Sequence, residues 1–271
     1  MLTEIKNIFS KHSSLNFDAL SPLSKNARGI PVPSKVMALQ GCRNCKSCED
    51  HCPTKAIHVE SESTFHIDYG ACLQCGICVN ICPNEKLENS NFVYAFALNR
   101  DELKITFNKG DFTPKEFPIS EDVKKFQKLT KNRGFNYREV AAGGNNSVEC
   151  ELNASFNNVF DSEGWQIRSV ASPKHADAIV YSGPVTENMT KPLQIAWDTM
   201  PEPKALIANG TEAIMGGLFK EGKKPKNPDL FIAGDPPRPD VMIQAFRYLM
   251  GTFQFSFQKA LKEFLHNSKN K

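Results

Sequence analysis

The stretch from Cys42 to Pro53 reads CRNCKSCEDHCP, and the stretch from Cys72 to Pro83 reads CLQCGICVNICP. Each is a complete C-x-x-C-x-x-C-x-x-x-C-P phrase, so one spacing occurs twice. Thiolates are soft, electron-rich ligands that suit iron–sulfur cubanes. The three closely spaced sulfurs of a phrase reach one cluster, while the fourth, held stiff by its proline, points the other way. The expected pairing therefore crosses over: Cys42, Cys45, Cys48 and Cys82 on one cluster, Cys72, Cys75, Cys78 and Cys52 on the other. The alternatives are a disulfide framework or a pair of zinc sites. Zinc takes four ligands per site and has no use for a fourth cysteine followed by proline. Two 4Fe–4S clusters are the expected cofactors, and moving electrons the expected role.

At 271 residues the chain is long enough for two modest domains, each with its own core. Its 40% hydrophobic and 23% charged content is that of an ordinary globular protein. A net charge of +3 is near balance and calls for no nucleic-acid partner. Of nine cysteines, eight belong to the two phrases and Cys150 is left over. Free thiols feeding clusters fit a reducing interior, so a cytoplasmic setting is expected. The opening MLTEIKNIFSKHSS carries acids and lacks an apolar core, unlike a signal peptide. No uncharged apolar run approaches the roughly 18–20 residues of a membrane span. Attachment to the inner face of a membrane would come through partner subunits.

Residues 1–36 read as a short amphipathic helix, Thr3 to Phe17, followed by an extended proline-rich leader. Residues 37–98 form the cysteine domain, each half giving a cluster loop, a short helix after the Cys-Pro, and a strand. Ala56–Val59 and Phe65–Ile67 are its expected strands. Residues 99–134, mixed in charge and broken by Pro114 and Pro118, read as a solvated connector. In 135–251 short apolar runs such as Ala178–Tyr181, Lys204–Ala208 and Leu230–Ala233 alternate with helical patterns. That rhythm implies a parallel sheet covered by helices, with functional loops at the strand C-terminal ends. The tail, 252–271, is aromatic on one side and reads equally as a docked terminal element or a partner surface.

The two phrases resemble those of bacterial two-cluster ferredoxins, which implies an α+β ferredoxin-like first domain. The second domain resembles the small subunit shared by group 4 nickel–iron hydrogenases, formate hydrogenlyase and respiratory complex I. Carrying that resemblance are Ser172-Pro173-Lys174-His175-Ala176-Asp177, Ser182-Gly183-Pro184-Val185-Thr186, Met200-Pro201-Glu202-Pro203-Lys204 and Pro236-Pro237-Arg238-Pro239-Asp240. It implies an α/β, flavodoxin-like parallel-sheet domain. The flanks Arg28-Gly29-Ile30-Pro31 and Ala97 to Leu103 look like the edges of the two-cluster subunit that neighbours the small subunit in those complexes. The chain thus resembles a fusion of two usually separate subunits.

The resemblance breaks at one place. The family's small subunit holds a cluster beside the catalytic subunit with four cysteines, and alignment puts Asn145, Val148, Glu212 and Asp235 at those positions. Valine cannot bind metal, and oxygen-bearing side chains replace thiolates poorly on iron–sulfur. This proximal cluster is therefore expected to be absent, with Asn145, Glu212 and Asp235 filling its cavity with hydrogen bonds rather than holding a cation. Cys150 is expected to be a buried, inert thiol. Glu151 matches a family glutamate and is either a polar relay or a solvated residue. His175 is expected to cap or hydrogen-bond, and His51 and His58 are superfluous as ligands. Gly143-Gly144 lacks the spacing of a phosphate loop, and no hydrolase constellation emerges.

The expected function is that of an electron-transfer subunit, not a stand-alone catalyst. Its implied partners are a catalytic large-subunit homologue, membrane subunits and a redox carrier such as ferredoxin or formate dehydrogenase. The alternative is a structural, assembly or redox-sensing subunit of a degenerate, non-hydrogenase complex.

Overall fold

The computed structural model describes residues 20, 23–24, 27–34, 42, 45–217 and 222–269. The helix expected from Thr3 to Phe17 lies outside the described residues. In the first domain β1 (Pro31–Pro33) pairs antiparallel with β4 (Leu87–Asn89). A second sheet, in the order β2–β3–β6, is built from β2 (Ile57–Val59), β3 (Thr64–Asp68) and β6 (Lys104–Asn108). The short helices α1 (Ser47–Asp50) and α2 (Ile77–Asn80) precede each Cys-Pro rather than follow it, and they carry Cys48 and Cys78. Pro53 and Pro83 explain this order, because a proline disfavours helical geometry in the residue before it and so ends the turn there.

The stretch expected to be a solvated connector is ordered. In β6 the buried Ile105 and Phe107 alternate with the exposed Lys104, Thr106 and Asn108. That two-residue period lets its charged members face solvent while its apolar members join the first domain's core. Helix α3 (Glu121–Thr130) follows, capped by Ser120, whose hydroxyl accepts from Val123 N, and buries Val123 and Phe126. Mixed charge there marks the outer faces of regular elements.

The second domain is a six-stranded sheet in the order β5–β11–β10–β9–β7–β8. Five strands run parallel: β7 (Phe135–Ala141), β8 (Ile167–Ser169), β9 (Ala178–Ser182), β10 (Ala205–Asn209) and β11 (Leu230–Ile232). Strands β9 and β10 are buried at every position, as a sheet covered on both faces requires. The sixth strand, β5 (Phe96–Ala97), leaves the cysteine domain and pairs antiparallel with β11. A strand from one domain thereby closes an edge of the other domain's sheet.

Around the sheet stand α4 (Ser147–Ala154), α5 (Glu187–Thr199), α6 (Thr211–Met215) and α7 (Pro239–Met250). Helix α7 is buried along its whole length, and its Phe246 packs edge-on to Phe135 at 5.8 Å. The tail forms α8 (Phe257–Lys269), a docked element: Phe257 and Leu261 are fully buried, and Phe257 meets Tyr69 of the first domain at 5.3 Å. Glu102 accepts from Ser256 Oγ and Phe257 N at 2.8 Å each, fastening this helix to the joint between the domains. Among the described residues no helix is long and apolar enough to cross a membrane.

Candidate iron–sulfur centres and the adjoining hollow

Two hollows open in the first domain. One is lined by Cys42, Cys45, Cys48 and Cys82, with Phe65 and Leu87 among its apolar walls. The other is lined by Cys52, Cys72, Cys75 and Cys78, with Ile57 and Ile77. Each therefore collects three thiols from one phrase and the last thiol of the other. The two-residue spacing wraps a loop around its own hollow, and the helix turn ending at Pro53 or Pro83 carries the fourth sulfur across to the other. Helices α1 and α2 pack against each other between them.

Backbone amides are aimed at the sulfurs in matching fashion. Ala56 N donates to Cys52 Sγ at 3.2 Å, and Lys86 N to Cys82 Sγ at 3.2 Å. Gln74 N donates to Cys72 Sγ at 3.4 Å. The amides of Leu73, Cys75 and Gly76 have no acceptor among the described residues. Burial pushes the Cys48 and Cys72 thiols up to about 12 and Cys78 to about 11. The Ser47 hydroxyl, 3.5 Å from Cys45 Sγ, pulls that more exposed thiol down. Buried sulfurs of this kind carry charge only against a bound cation. Soft donors, apolar walls and spare N–H groups fit an iron–sulfur group. Among the described residues no three His, Cys, Asp or Glu side chains converge as they would on a single metal ion. A cubane instead offers its irons at separate corners, so its thiolates stand apart.

His51 and His58 bond elsewhere: His51 Nδ1 lies 3.0 Å from Ser47 O, and His58 Nδ1 lies 3.0 Å from Glu49 Oε1. His175 ends a 3-10 turn, and its carbonyl accepts from Asn136 Nδ2 at 3.3 Å.

Of the four positions aligned with the missing thiolates, Asn145 and Val148 follow β7, Glu212 follows β10 and Asp235 follows β11, all beyond the C-terminal ends of parallel strands. Loops following β7 and β9 touch there, and a Cβ on Gly183 would stand 2.2 Å from Gly144 N. Val148 is buried against Gly210, whose Cβ would come 2.8 Å from Val148 Cγ2. Glu212 Oε2 lies 3.5 Å from where a Gly144 Cβ would stand. Asn145 is turned to its own helix, its Oδ1 accepting from Ser147 Oγ at 2.6 Å and Ser147 N at 3.0 Å. Burial raises the Asp235 carboxyl; burial, then Asp235 and Glu149, raise Glu212.

A raised carboxyl is one that ionises less readily in the folded chain than in the unfolded one. Its contribution to stability is therefore lost as the pH climbs above the ordinary carboxylate range. Glu212→Gln is expected to leave stability unchanged near pH 4 and to improve it increasingly from about pH 5 to 7. Urea midpoints of both proteins across that range check this, and a gap that shrinks with pH refutes it.

One residue stands differently from expectation. Cys150 is exposed, because α4 buries Val148, Glu149 and Leu152 and position 150 falls on the opposite side. The glutamate that α4 buries is Glu149, which is 7% exposed and accepts from Ser182 Oγ at 2.6 Å. Its helical spacing from Leu152 was the available signal.

Residues 41–86 match the 4Fe-4S dicluster domain family, and residues 143–249 match the family NADH ubiquinone oxidoreductase, 20 Kd subunit. Formate hydrogenlyase subunit 7 of Escherichia coli is 34% identical over 134 residues, 47% of this chain and 52% of that protein. A probable membrane-bound hydrogenase subunit of Pyrococcus furiosus is 31% identical over 111 residues, 38% of this chain and 66% of its own length. An uncharacterized protein of Methanocaldococcus jannaschii is 33% identical over 124 residues, 44% of this chain and 84% of its length. The chain thus spans between half and two thirds of the two named hydrogenase-type relatives.

Proposed function

The chain belongs to the NADH ubiquinone oxidoreductase 20 kDa subunit family and carries a 4Fe–4S dicluster domain ahead of that region; from this premise we propose that it is an electron-transfer subunit of a hydrogenase-like or complex I-like assembly. The observation that carries the reading is the pair of four-thiol hollows, each drawing on both cysteine phrases. Cys42, Cys45, Cys48 and Cys82 would hold one 4Fe–4S cluster, and Cys52, Cys72, Cys75 and Cys78 the other. Such clusters supply one-electron chemistry over a wide range of potential. The chain's own part is to hold the sulfurs apart, aim amides at them and keep water from the buried ligands.

The 20 kDa-type domain is proposed to dock a catalytic large-subunit homologue and, through it, membrane subunits at the inner face. A soluble redox carrier would exchange electrons with the first domain. Parallel strands in the order β8–β7–β9–β10–β11 support a flavodoxin-like fold, whose ligand crevice lies at the reversal between the first and third strands. Asn145, Val148, Glu212 and Asp235 would stand there in place of the family's thiolate set, and the absence of cysteine at these positions supports loss of that cluster. Asn145 bonded to its own helix and Val148 packed on Gly210 also favour a second reading, a docking or assembly subunit of a non-hydrogenase complex.

Iron quantitation with paramagnetic resonance of the reduced, anaerobically purified chain tests the inventory. About eight irons per chain are expected from two cubanes, and about twelve would sink the cluster-loss reading.

A further inference from the structure

The second thiol hollow is bonded to the neighbouring domain through one side chain. Thr211, fully buried at the start of α6, donates its hydroxyl to the Cys72 carbonyl at 3.1 Å. The same oxygen accepts Gly234 N at 3.1 Å, and Thr211 N donates to Gly234 O at 2.8 Å. One residue thereby joins the loop of Cys72 and Cys75 to the start of α6, which carries Glu212, and to the loop of Gly234 and Asp235. Among the described residues no side chain of the second domain bonds to Cys45, Cys48 or Cys82 in this way.

The bond fixes a peptide plane. The Cys72–Leu73 peptide is trans, so its N–H points opposite to its carbonyl. With the carbonyl turned to Thr211, the Leu73 amide faces the other side, and Leu73 lines the thiol hollow. That amide has no acceptor among the described residues. An N–H aimed at cluster sulfur stabilises the more negative, reduced state and raises the potential.

We propose that Thr211 is a positioning residue for the cluster held by Cys52, Cys72, Cys75 and Cys78. It locks the Cys72–Leu73 peptide so that the Leu73 amide faces the sulfur, and so sets that cluster's potential independently of the other. The inference rests on the two-cluster reading above.

The test is a redox titration of the full chain, followed by paramagnetic resonance, in Thr211→Val and Thr211→Ser. In Thr211→Val one of the two midpoints should fall by the equivalent of a three- to tenfold change in the oxidised-to-reduced ratio, tenfold being about 59 mV for one electron. The other midpoint should stay, and Thr211→Ser should match the wild type. Unmoved midpoints, equal movement of both, or a serine variant that behaves like valine would overturn the proposal. Should valine cost the fold, wild-type chain labelled with [15N]leucine decides instead. A reduced cluster coupled to a leucine amide is expected in its pulsed spectra, and absence of any such coupling overturns the role. Wild-type iron near four per chain would instead remove the two-cluster reading itself.

Discussion

In the double variant Cys52→Ala/Cys75→Ala, iron is expected to fall from about eight to about four per chain and no further. Cys52 belongs by sequence to the first phrase and Cys75 to the second, yet both line the same hollow. Removing both therefore empties one site and leaves Cys42, Cys45, Cys48 and Cys82 together. The companion variant Cys52→Ala/Cys82→Ala takes one thiol from each hollow, and nearly all iron should go. If the clusters followed sequence order, neither variant would spare a site. Cys52→Ala/Cys82→Ala would then still strike both sites, but Cys52→Ala/Cys75→Ala would too. Iron retained at about half in Cys52→Ala/Cys75→Ala is thus the deciding number, and its loss refutes the crossed assignment. The surviving site should keep its own midpoint, because metal binding and local folding are coupled within each hollow.

The second large effect is steric. Gly183→Ala is expected to cost at least about 3 kcal/mol, read as a drop in the urea midpoint. Gly183 has a φ of +69°, a left-handed conformation that side chains resist. Its Cβ would also stand 2.2 Å from Gly144 N and 2.4 Å from Gly144 Cα. Both obstacles are backbone, so no rotamer change relieves them. The loops after β7 and β9 would have to part, opening the crevice that holds Glu212 and Val148. A variant with an unchanged midpoint would mean that these loops do not touch as described.

Much of this architecture was legible in the chain. Strands β9, β10 and β11 announce themselves as continuous apolar runs, since burial on both faces leaves no room for alternation. Helix α7 follows the proline-rich turn Pro236-Pro237-Arg238 and opens on Pro239, a residue suited to a helix start. Strand β6 was hidden because lysine and asparagine on its outer face outweighed a two-residue alternation only five residues long. Helix α5 is not legible in the chain: it buries only Leu193 and carries Pro192 inside, so neither an apolar stripe nor an unbroken helical run marks it. Glu149 was overlooked because a charged residue on a buried helix face contradicts the usual pattern, and only the Ser182 hydroxyl resolves the conflict. Cys150 was expected inside by residue type, whereas helix phase put it outside.

What the amino-acid sequence alone determined is local: ligand type, ligand count and the two-residue spacing that lets three sulfurs surround one space. Such short-range geometry survives any arrangement of the rest. Only tertiary structure decided that the second hollow is tied to the neighbouring domain by Thr211, that Val148 packs on Gly210, and that Glu212 stands beside Gly144. Those facts depend on contacts between residues far apart in the chain, such as Thr211 with Cys72. Such contacts form only when β5 joins the edge of the second sheet and both cores close together.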